Sequence, residues 1–466
     1  MVKRGERLEL HIDKFADRGK SLARKDGFVI FVPGGVPGDH VRARVYKKKK
    51  SFAEAEIEEV LSPSVLRTAA RCYYFGTCGG CKWQHVDYDA QLDAKTQSVE
   101  DALVHNGGFE DVDVRPAIGS EKIYYYRNKM EFSFSAGRWL TREEIDTGRD
   151  FDTSFALGLH VPGTFDKVLD LKECHLQSPT SRALVNGVRD LAKKHDWEPW
   201  HIRKQVGFLR HLVLREGERT GEIMVNLVTN GSDGDRMKVM ADYLKESFPQ
   251  VTTFVNTIHT GKAQTAIGEE IRTIFGSGVI HDRIGSHTFE IAPEAFFQTN
   301  TAQAERLYDV AKAFAELRSD DLVYDLYCGA GTISIFVADA VRRVVGIEIV
   351  EEAVQNARAN AVTNGVDNCT FVTGDMQDLF GREFVEEHGQ PDVLIVDPPR
   401  AGLHPKVVER IAELGPERFV YVSCNPQTQA RDLDLMRDTY RIEAVQPVDL
   451  FPHTHHVETV IKLRRT

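Results

Sequence analysis

The chain has 466 residues, of which 42% are hydrophobic and 28% charged. This balance excludes a disordered or collagen-like polymer, and the length suits roughly two to four domains, each with its own core. No apolar run approaches the ~18 residues of a membrane helix. Met1–Leu10 lacks the apolar stretch of a signal peptide, so a cytoplasmic protein without a membrane partner is expected. The net charge of −11 is unevenly spread: Met1–Lys50 holds 14 Lys and Arg against 6 Asp and Glu, a balance of +8, which leaves −19 for the remainder. A basic head on an acidic body points to a polyanionic partner for the head.

The head alternates apolar and polar residues in short runs, Leu8–Ile12, Gly27–Val32 and Val41–Val45, with the turn-rich Pro33–Gly38 between the last two. This predicts a small all-β barrel over residues 1–60. The Lys47–Lys50 run falls where its last long strand should leave the barrel. Together with Arg42 and Arg44 it forms either a solvated strand end or a phosphate-backbone grip.

From Cys72 to about Ile291 the pattern is mostly β. Lys129–Phe134, Arg210–Arg215 and Glu222–Val228 alternate like half-buried antiparallel strands. Tyr88–Asn106 breaks the pattern with helical spacing, in a helix expected over about 88–118 that packs elsewhere than on its sequence neighbours. The last 170 or so residues change character. Strands Leu322–Leu326, Arg343–Glu348, Thr370–Thr373, Val393–Val396 and Phe419–Val422 alternate with helical stretches such as Glu351–Asn364 and Pro405–Leu414, the rhythm of a doubly wound parallel sheet.

The first of these strands ends in Asp325-Leu-Tyr-Cys-Gly-Ala-Gly-Thr332, and the second ends in Glu348, 19 positions after Gly329. Glycines there let a backbone approach a ligand, and the acidic residue suits a ribose diol. No third glycine completes a dinucleotide fingerprint. The pattern therefore favours S-adenosylmethionine, which has no pyrophosphate to cradle. The fourth strand ends in Asp397-Pro-Pro-Arg400 and the fifth in Ser423-Cys-Asn-Pro426, so Asp397 and Cys424 reach the same carboxyl edge. A thiol at a strand end can meet substrate, whereas Cys328 and Cys369 read as packing. Asp449-Leu-Phe-Pro-His-Thr-His-His-Val-Glu458 brings a carboxylate to the same rim, the partner a thiol nucleophile needs for proton transfer. His453, His455 and His456 lack matching partner ligands for a metal.

Phe296-Phe-Gln-Thr-Asn300, Asp325–Gly331, Asp397–Arg400, Ser423–Pro426 and His456-Val-Glu458, in this order, resemble the RNA uracil-5 methyltransferase family over essentially the whole chain. The head resembles that family's TRAM domain, an oligonucleotide-binding-type barrel, and the cysteine pattern resembles its ribosomal-RNA branch. The resemblance implies that Gln298, Tyr327, Glu348, Asp375 and Asp397 contact S-adenosylmethionine, with Cys424 as nucleophile and Glu458 as base. Tyr327 stands where some members carry phenylalanine, and Thr332 where some carry asparagine. Uracil C5 is too weak a nucleophile to take a methyl group unaided. Addition of the Cys424 thiolate to C6 makes the ring an enolate whose C5 can attack, and removal of the C5 proton by Glu458 expels the cysteine. Asp397 holds either the uracil edge or the cofactor, and the target base must leave its stack.

Cys72, Cys78 and Cys81 cluster, and Cys174 follows far downstream. Zinc accepts four cysteines, usually as two close pairs, whereas three close and one remote suit an iron–sulfur cluster better. The resemblance points the same way, to a [4Fe-4S] cluster. Tyr126-Arg-Asn-Lys-Met130 reads as a phosphate grip or a solvated strand start. Trp83, His85, Phe75 and Tyr88 read as base-stacking residues or as packing.

The expected fold class is thus α/β: a TRAM barrel (1–60), a central β-rich α+β domain with the cluster (61–290) and a C-terminal Rossmann-like methyltransferase domain (291–466), on which the resemblance implies that the 88–118 helix packs. The expected reaction is methylation of a uridine in 23S ribosomal RNA, with no obligate protein partner. The alternatives are a transfer-RNA uridine methyltransferase and, in another class, a non-catalytic RNA-binding assembly factor. Retention of Cys424 and Glu458 argues against the second.

Overall fold

The computed structural model describes residues 2–466, so Met1 of the basic head lies outside the described residues. The head closes into a barrel from β1 (Arg7–Phe15), β2 (Lys20–Lys25), β3 (Phe28–Pro33), β4 (His40–Lys48) and β5 (Phe52–Ser62), in the order β1-β2-β3-β5-β4. Leu8, Leu10 and Ile12 alternate into its core with Val41, Ala43 and Val45. The lysine run does not leave the barrel. It turns into β5, whose Glu54, Glu56, Glu58 and Glu59 pair with the basic residues of the neighbouring strands. Arg42 meets Glu59 at 2.5 Å and Glu9 at 3.3 Å, Arg44 meets Glu56 and Glu58, and Lys47 meets Glu54 at 2.7 Å. Counted through Ser62, the head's balance falls to +4.

Helix α1 (Tyr88–Gly107) starts at the Asp87 cap and stops at Gly108, whose φ of 66° breaks the helix well short of 118. The central region follows with β6 (Lys129–Ser135), β7 (Arg138–Trp139), α2 (Arg142–Asp146), β8 (Ala156–Gly158), β9 (Val168–Leu169), α3 (Pro179–Lys194), β10 (Leu209–Glu216), β11 (Ile223–Thr229), α4 (Gly234–Ser247), β12 (Thr253–Ile258) and β13 (Glu270–Phe275). Its main sheet has the order β13-β12-β11-β10-β6-β8. The three strands read from alternation are present, and β6 alternates as expected, but β10 and β11 are not half-buried. β11 is buried along its whole length, β10 at all but its last residue, and β11 pairs with β12 in parallel. Helices α3 and α4 cover one face, while Met224 and Val255 of the other face join the C-terminal core.

The hairpin β14 (Ile280–Ile284) and β15 (His287–Ile291) precedes the expected boundary at 290, yet Ile280, Ile284 and Phe289 bury in the C-terminal core. There the elements are α5 (Thr301–Ala315), β16 (Leu322–Leu326), α6 (Thr332–Val337), β17 (Arg343–Glu348), α7 (Glu351–Thr363), β18 (Cys369–Thr373), α8 (Met376–Leu379), α9 (Arg382–His388), β19 (Val393–Val396), α10 (Pro405–Leu414), β20 (Arg418–Ser423), α11 (Pro426–Asp434), β21 (Tyr440–Val448) and β22 (Glu458–Arg465). The sheet order β18-β17-β16-β19-β20-β22-β21 reverses at β16, with β22 antiparallel to β20. Helix α1 packs on α11 and β21 of this sheet, burying Val99, Ala102 and Leu103 beside Ala430, Leu433 and Val445. Among the described residues no helix is long and apolar enough to cross a membrane.

Candidate active site

The order reversal places a crevice at the carboxyl ends of β16, β17 and β19, where ligands of open α/β sheets bind. Tyr327 follows β16 with a φ of 67°, a left-handed backbone that a tyrosine keeps only where its surroundings fix it. Gly329 and Gly331 continue the turn at φ of 53° and 76°. A Cβ on Gly331 would lie 2.9 Å from Phe371 and 3.0 Å from Ala357, whereas one on Gly329 would face open space. The tight packing behind Gly331 thus leaves the Gly329 backbone bare toward the crevice. Glu348, at the end of β17, accepts from the Gly329 N–H at 3.1 Å and from the Ile349 and Val350 N–H groups at 2.8 and 3.0 Å. These bonds orient a carboxylate at the rim, in place for a diol.

Gln298 is buried, and its carbonyl accepts from Asn128 Nδ2 at 2.8 Å. Asp375 also reaches this edge, after β18, but its side chain caps α8 by accepting from Gln377 N–H at 2.9 Å. Thr332 faces away from a ligand role, its hydroxyl 3.0 Å from that of Tyr308. Asp397 follows β19 and is half-buried, with burial and the nearby Asp325 carboxylate pushing it up to about 7.

Cys424 and Glu458 are brought together by strand register. Ser423, the last residue of β20, pairs with Thr459 of β22; Cys424 follows Ser423 and Glu458 precedes Thr459, so both adjoin this rung, close enough for Glu458 to act on the Cys424 thiol. Glu458 is 4% exposed; burial, with Asp397 adding to it, pushes its carboxyl up to about 8, against the pull of Arg400. Burial also raises the Cys424 thiol to about 11, helped by Glu458 and Asp397 and again opposed by Arg400. One carboxyl and one thiol, Glu458 and Cys424, therefore share the Arg400 cation. Arg400 Nη2 lies 2.9 Å from His456 Nδ1, and its carbonyl accepts from Asn425 Nδ2 at 2.9 Å. Burial holds His456 down at about 3, so it is a neutral partner for the guanidinium. Arg400 carried no role in the sequence beyond its motif; its tie to His456 joins two motifs far apart in the chain.

Cys72, Cys78, Cys81 and Cys174 line one cavity with Tyr74 and Leu171. The Gly80 N–H and Gln84 Nε2 donate to the Cys78 and Cys81 sulfurs at 3.4 and 3.2 Å. Burial raises all four thiols. Among the described residues, no three His, Cys, Asp or Glu side chains converge as ligands of one metal ion. The aromatic residues beside them are packing: Trp83 is 3% exposed and lies 4.9 Å from Phe15 of the barrel, the Phe75 and His85 rings meet in a tilted pair at 5.0 Å, and Tyr88 hydrogen-bonds Asp449 at 2.8 Å. The Tyr126–Met130 motif is equally internal, with Tyr126, Asn128 and Met130 buried.

A doubly wound sheet with a glycine turn after its first strand, and a thiol and carboxyls along its carboxyl edge, defines an α/β methyltransferase. Residues 219–466 match the family described as tRNA (Uracil-5-)-methyltransferase, and residues 2–57 match the TRAM domain. A protein named an uncharacterized RNA methyltransferase from Bacteroides thetaiotaomicron is 43% identical over 451 residues, spanning 96% of this chain and 99% of its own. A second one, from Chlorobaculum tepidum, is 42% identical across 99% of this chain and 97% of its own. Among solved structures, the Pyrococcus abyssi tRNA (uracil-54, C5)-methyltransferase in complex with S-adenosyl-L-homocysteine superposes with a TM-score of 0.76. It is 30% identical and covers 97% of this chain and 99% of its own. The chain belongs to the RNA uracil-5 methyltransferase family, a family of S-adenosylmethionine-dependent RNA methyltransferases, and its N-terminal barrel is a TRAM domain.

Proposed function

We propose that this protein methylates C5 of a uridine in 23S ribosomal RNA through a covalent Cys424 adduct. The observation that carries the chemistry is that Cys424 and Glu458 adjoin the Ser423–Thr459 rung, beside Asp397. Bound S-adenosylmethionine supplies an electrophilic methyl group on a cationic sulfonium, and that charge also favours the ionised forms of these three groups. The bare Gly329 turn, the oriented Glu348 carboxylate, Tyr327 and Gln298 suit its ribose, adenine and amino-acid ends. Asp375, already a helix cap, is the weakest of the proposed contacts.

The Cys424 thiolate adds to uracil C6, forming a C–S bond and moving the ring electrons to an enolate. C5 would then attack the sulfonium methyl, a C5–CH3 bond forming as the S–CH3 bond breaks and its electron pair leaves on the sulfur of S-adenosylhomocysteine. Glu458 removes the C5 proton; the C–H pair becomes the C5–C6 double bond, and the C–S pair returns to Cys424. Cys424→Ala is expected to bind RNA and S-adenosylhomocysteine normally but to form no product. Glu458→Gln is expected to hold methylated RNA as an adduct that survives denaturing electrophoresis. Normal turnover by the alanine variant, or prompt product release by the glutamine variant, would remove the mechanism.

Cys72, Cys78, Cys81 and Cys174 are proposed as ligands of a [4Fe-4S] cluster with a structural role, joining the Cys72–Cys81 segment to the Cys174 loop. Four partly buried thiols around one cavity, with N–H donors to two of the sulfurs, suit it. Anaerobically purified protein is expected to be brown, with iron and labile sulfide; a colourless protein with one zinc would overturn the assignment. The ribosomal target rests on the same cysteines. A second reading, a transfer-RNA uridine, is favoured by the solved relative's substrate. Mapping 5-methyluridine in 23S and transfer RNA from cells lacking the protein separates the two.

A further inference from the structure

Glu458 opens β22, and the nine residues before it, Asp449–Val457, form no helix or strand. Such a connection is ordinarily a mobile surface loop. Here Asp449, Leu450, Pro452, His453, Thr454 and Val457 are buried, and His453 holds a left-handed φ of 65°. The strap keeps this path because distant parts of the chain bind its backbone. Asn300 Nδ2 donates to the Leu450 carbonyl at 3.1 Å, the Tyr126 hydroxyl to that of Pro452 at 3.1 Å, and the Lys82 and Trp83 N–H groups to that of His453 at 2.8 and 3.0 Å.

Helix α1 supplies further ties from one face, four residues apart. Lys95 Nζ donates to Asp449 Oδ1 at 2.5 Å and to the Phe451 carbonyl at 3.2 Å, and Gln91 Oε1 accepts the His453 N–H at 2.9 Å. Lys95 and Asp449 are both fully buried. An apolar pair of similar volume would hold the helix down as well or better, because desolvating two charges offsets most of their attraction. What an ion pair adds is one permitted geometry. Downstream of that geometry stands a single reactive group, whose carboxyl must meet a substrate proton within a fraction of an ångström.

We propose that Lys95 and Gln91 are positioning residues for Glu458, acting through the Asp449–Val457 strap in the step that takes the C5 proton and expels Cys424. The inference rests on the covalent reading above. Misplacing Glu458 leaves cofactor binding, thiol addition and methyl transfer intact and slows only elimination, so the methylated protein–RNA adduct accumulates.

The test uses the full-length protein with uridine-containing RNA and S-adenosylmethionine, comparing Lys95→Met, Gln91→Met and the pair Lys95→Met with Asp449→Asn. Turnover is expected to fall at least about 10-fold, with the RNA KM changed less than about 2-fold and a denaturation-resistant adduct visible on gels. The double variant, which removes the orphaned charge, should recover thermal stability without recovering turnover. Wild-type turnover in a folded variant, a loss of turnover without adduct, or turnover that returns with stability would each overturn the assignment. If Lys95→Met does not fold, Gln91→Met and the double variant decide. Glu458→Gln is run in parallel. If it traps adduct and the strap variants do not, the positioning role alone fails; if it traps none, the covalent reading fails and takes this inference with it.

Discussion

At the scale of single residues, the site is governed by burial of acids. Asp325, Asp397 and Glu458 are all pushed up, to about 7, 7 and 8, and in each case desolvation is the leading cause. Glu458, the base proposed above, has a carboxyl at about 8 and is protonated in neutral solution until a cation joins the site. For the free enzyme, kcat/KM for RNA is therefore expected to rise with pH between about 6.5 and 8.5, measured as tritium release from C5-labelled uridine RNA. A flat profile would place the base elsewhere. The same shift has a stability consequence. An unfolded glutamate titrates near about 4.3, so between there and about 8 the native state holds a proton that the unfolded state has released. Native stability falls as pH rises through that window. Glu458→Gln removes this dependence, and its melting temperature should exceed that of the wild type at pH 8.5 by more than at pH 5. Equal differences at the two pH values would contradict the shift.

At the scale of elements, β5 changes what the basic head can do. Arg42 and Arg44 face glutamates of the adjoining strands, whereas Lys48, Lys49 and Lys50 are exposed around the β4–β5 turn. Charge available to phosphates should therefore concentrate in that turn. Replacing all three lysines by glutamine is expected to lower the slope of log affinity against log salt by about 2, at roughly 0.7–0.9 per phosphate contact. Arg42→Gln with Arg44→Gln should change it by less than about half of that; filter binding across a salt series reads both. Periodicity and turn signals were legible for β1, β3, β4 and each parallel strand of the C-terminal sheet, because local pattern and burial agree there. They misled in the central sheet. Arg210 and Arg215 mimic the exposed half of an alternating strand, yet Arg210 donates to the His259 carbonyl at 2.8 Å and Arg215 to that of Pro293 at 3.2 Å. A polar residue satisfied by a distant carbonyl has no local signature.

At the scale of the whole molecule, the barrel, the four-cysteine segment and α1 share a small core. Val36, Trp83, Val86 and Ala90 are buried together there, with Phe15 and Leu66 packed against them. Lys14 reaches Asp101 of α1 at 2.9 Å, and the barrel turn at Gly19 lies against His455 of the strap. Trp83→Ala should remove about 3–5 kcal/mol of local packing and free the barrel, so that limited proteolysis cuts residues 63–87 faster than in the wild type. Unchanged cleavage would show that the barrel is held by other contacts. The sequence by itself determined the element types, the glycine turn and which thiol and carboxylate could do chemistry, because these depend on residue identity and short-range spacing. Tertiary structure alone decided that Glu458 lies beside Cys424, that Arg42 and Arg44 are paired, and that a lysine at position 95 grips an aspartate 354 residues away. The Arg42 and Arg44 pairs follow from the register of neighbouring strands on the barrel surface; the other two depend on which distant segments share a dry interior, where a charge must find a partner whatever the chain distance.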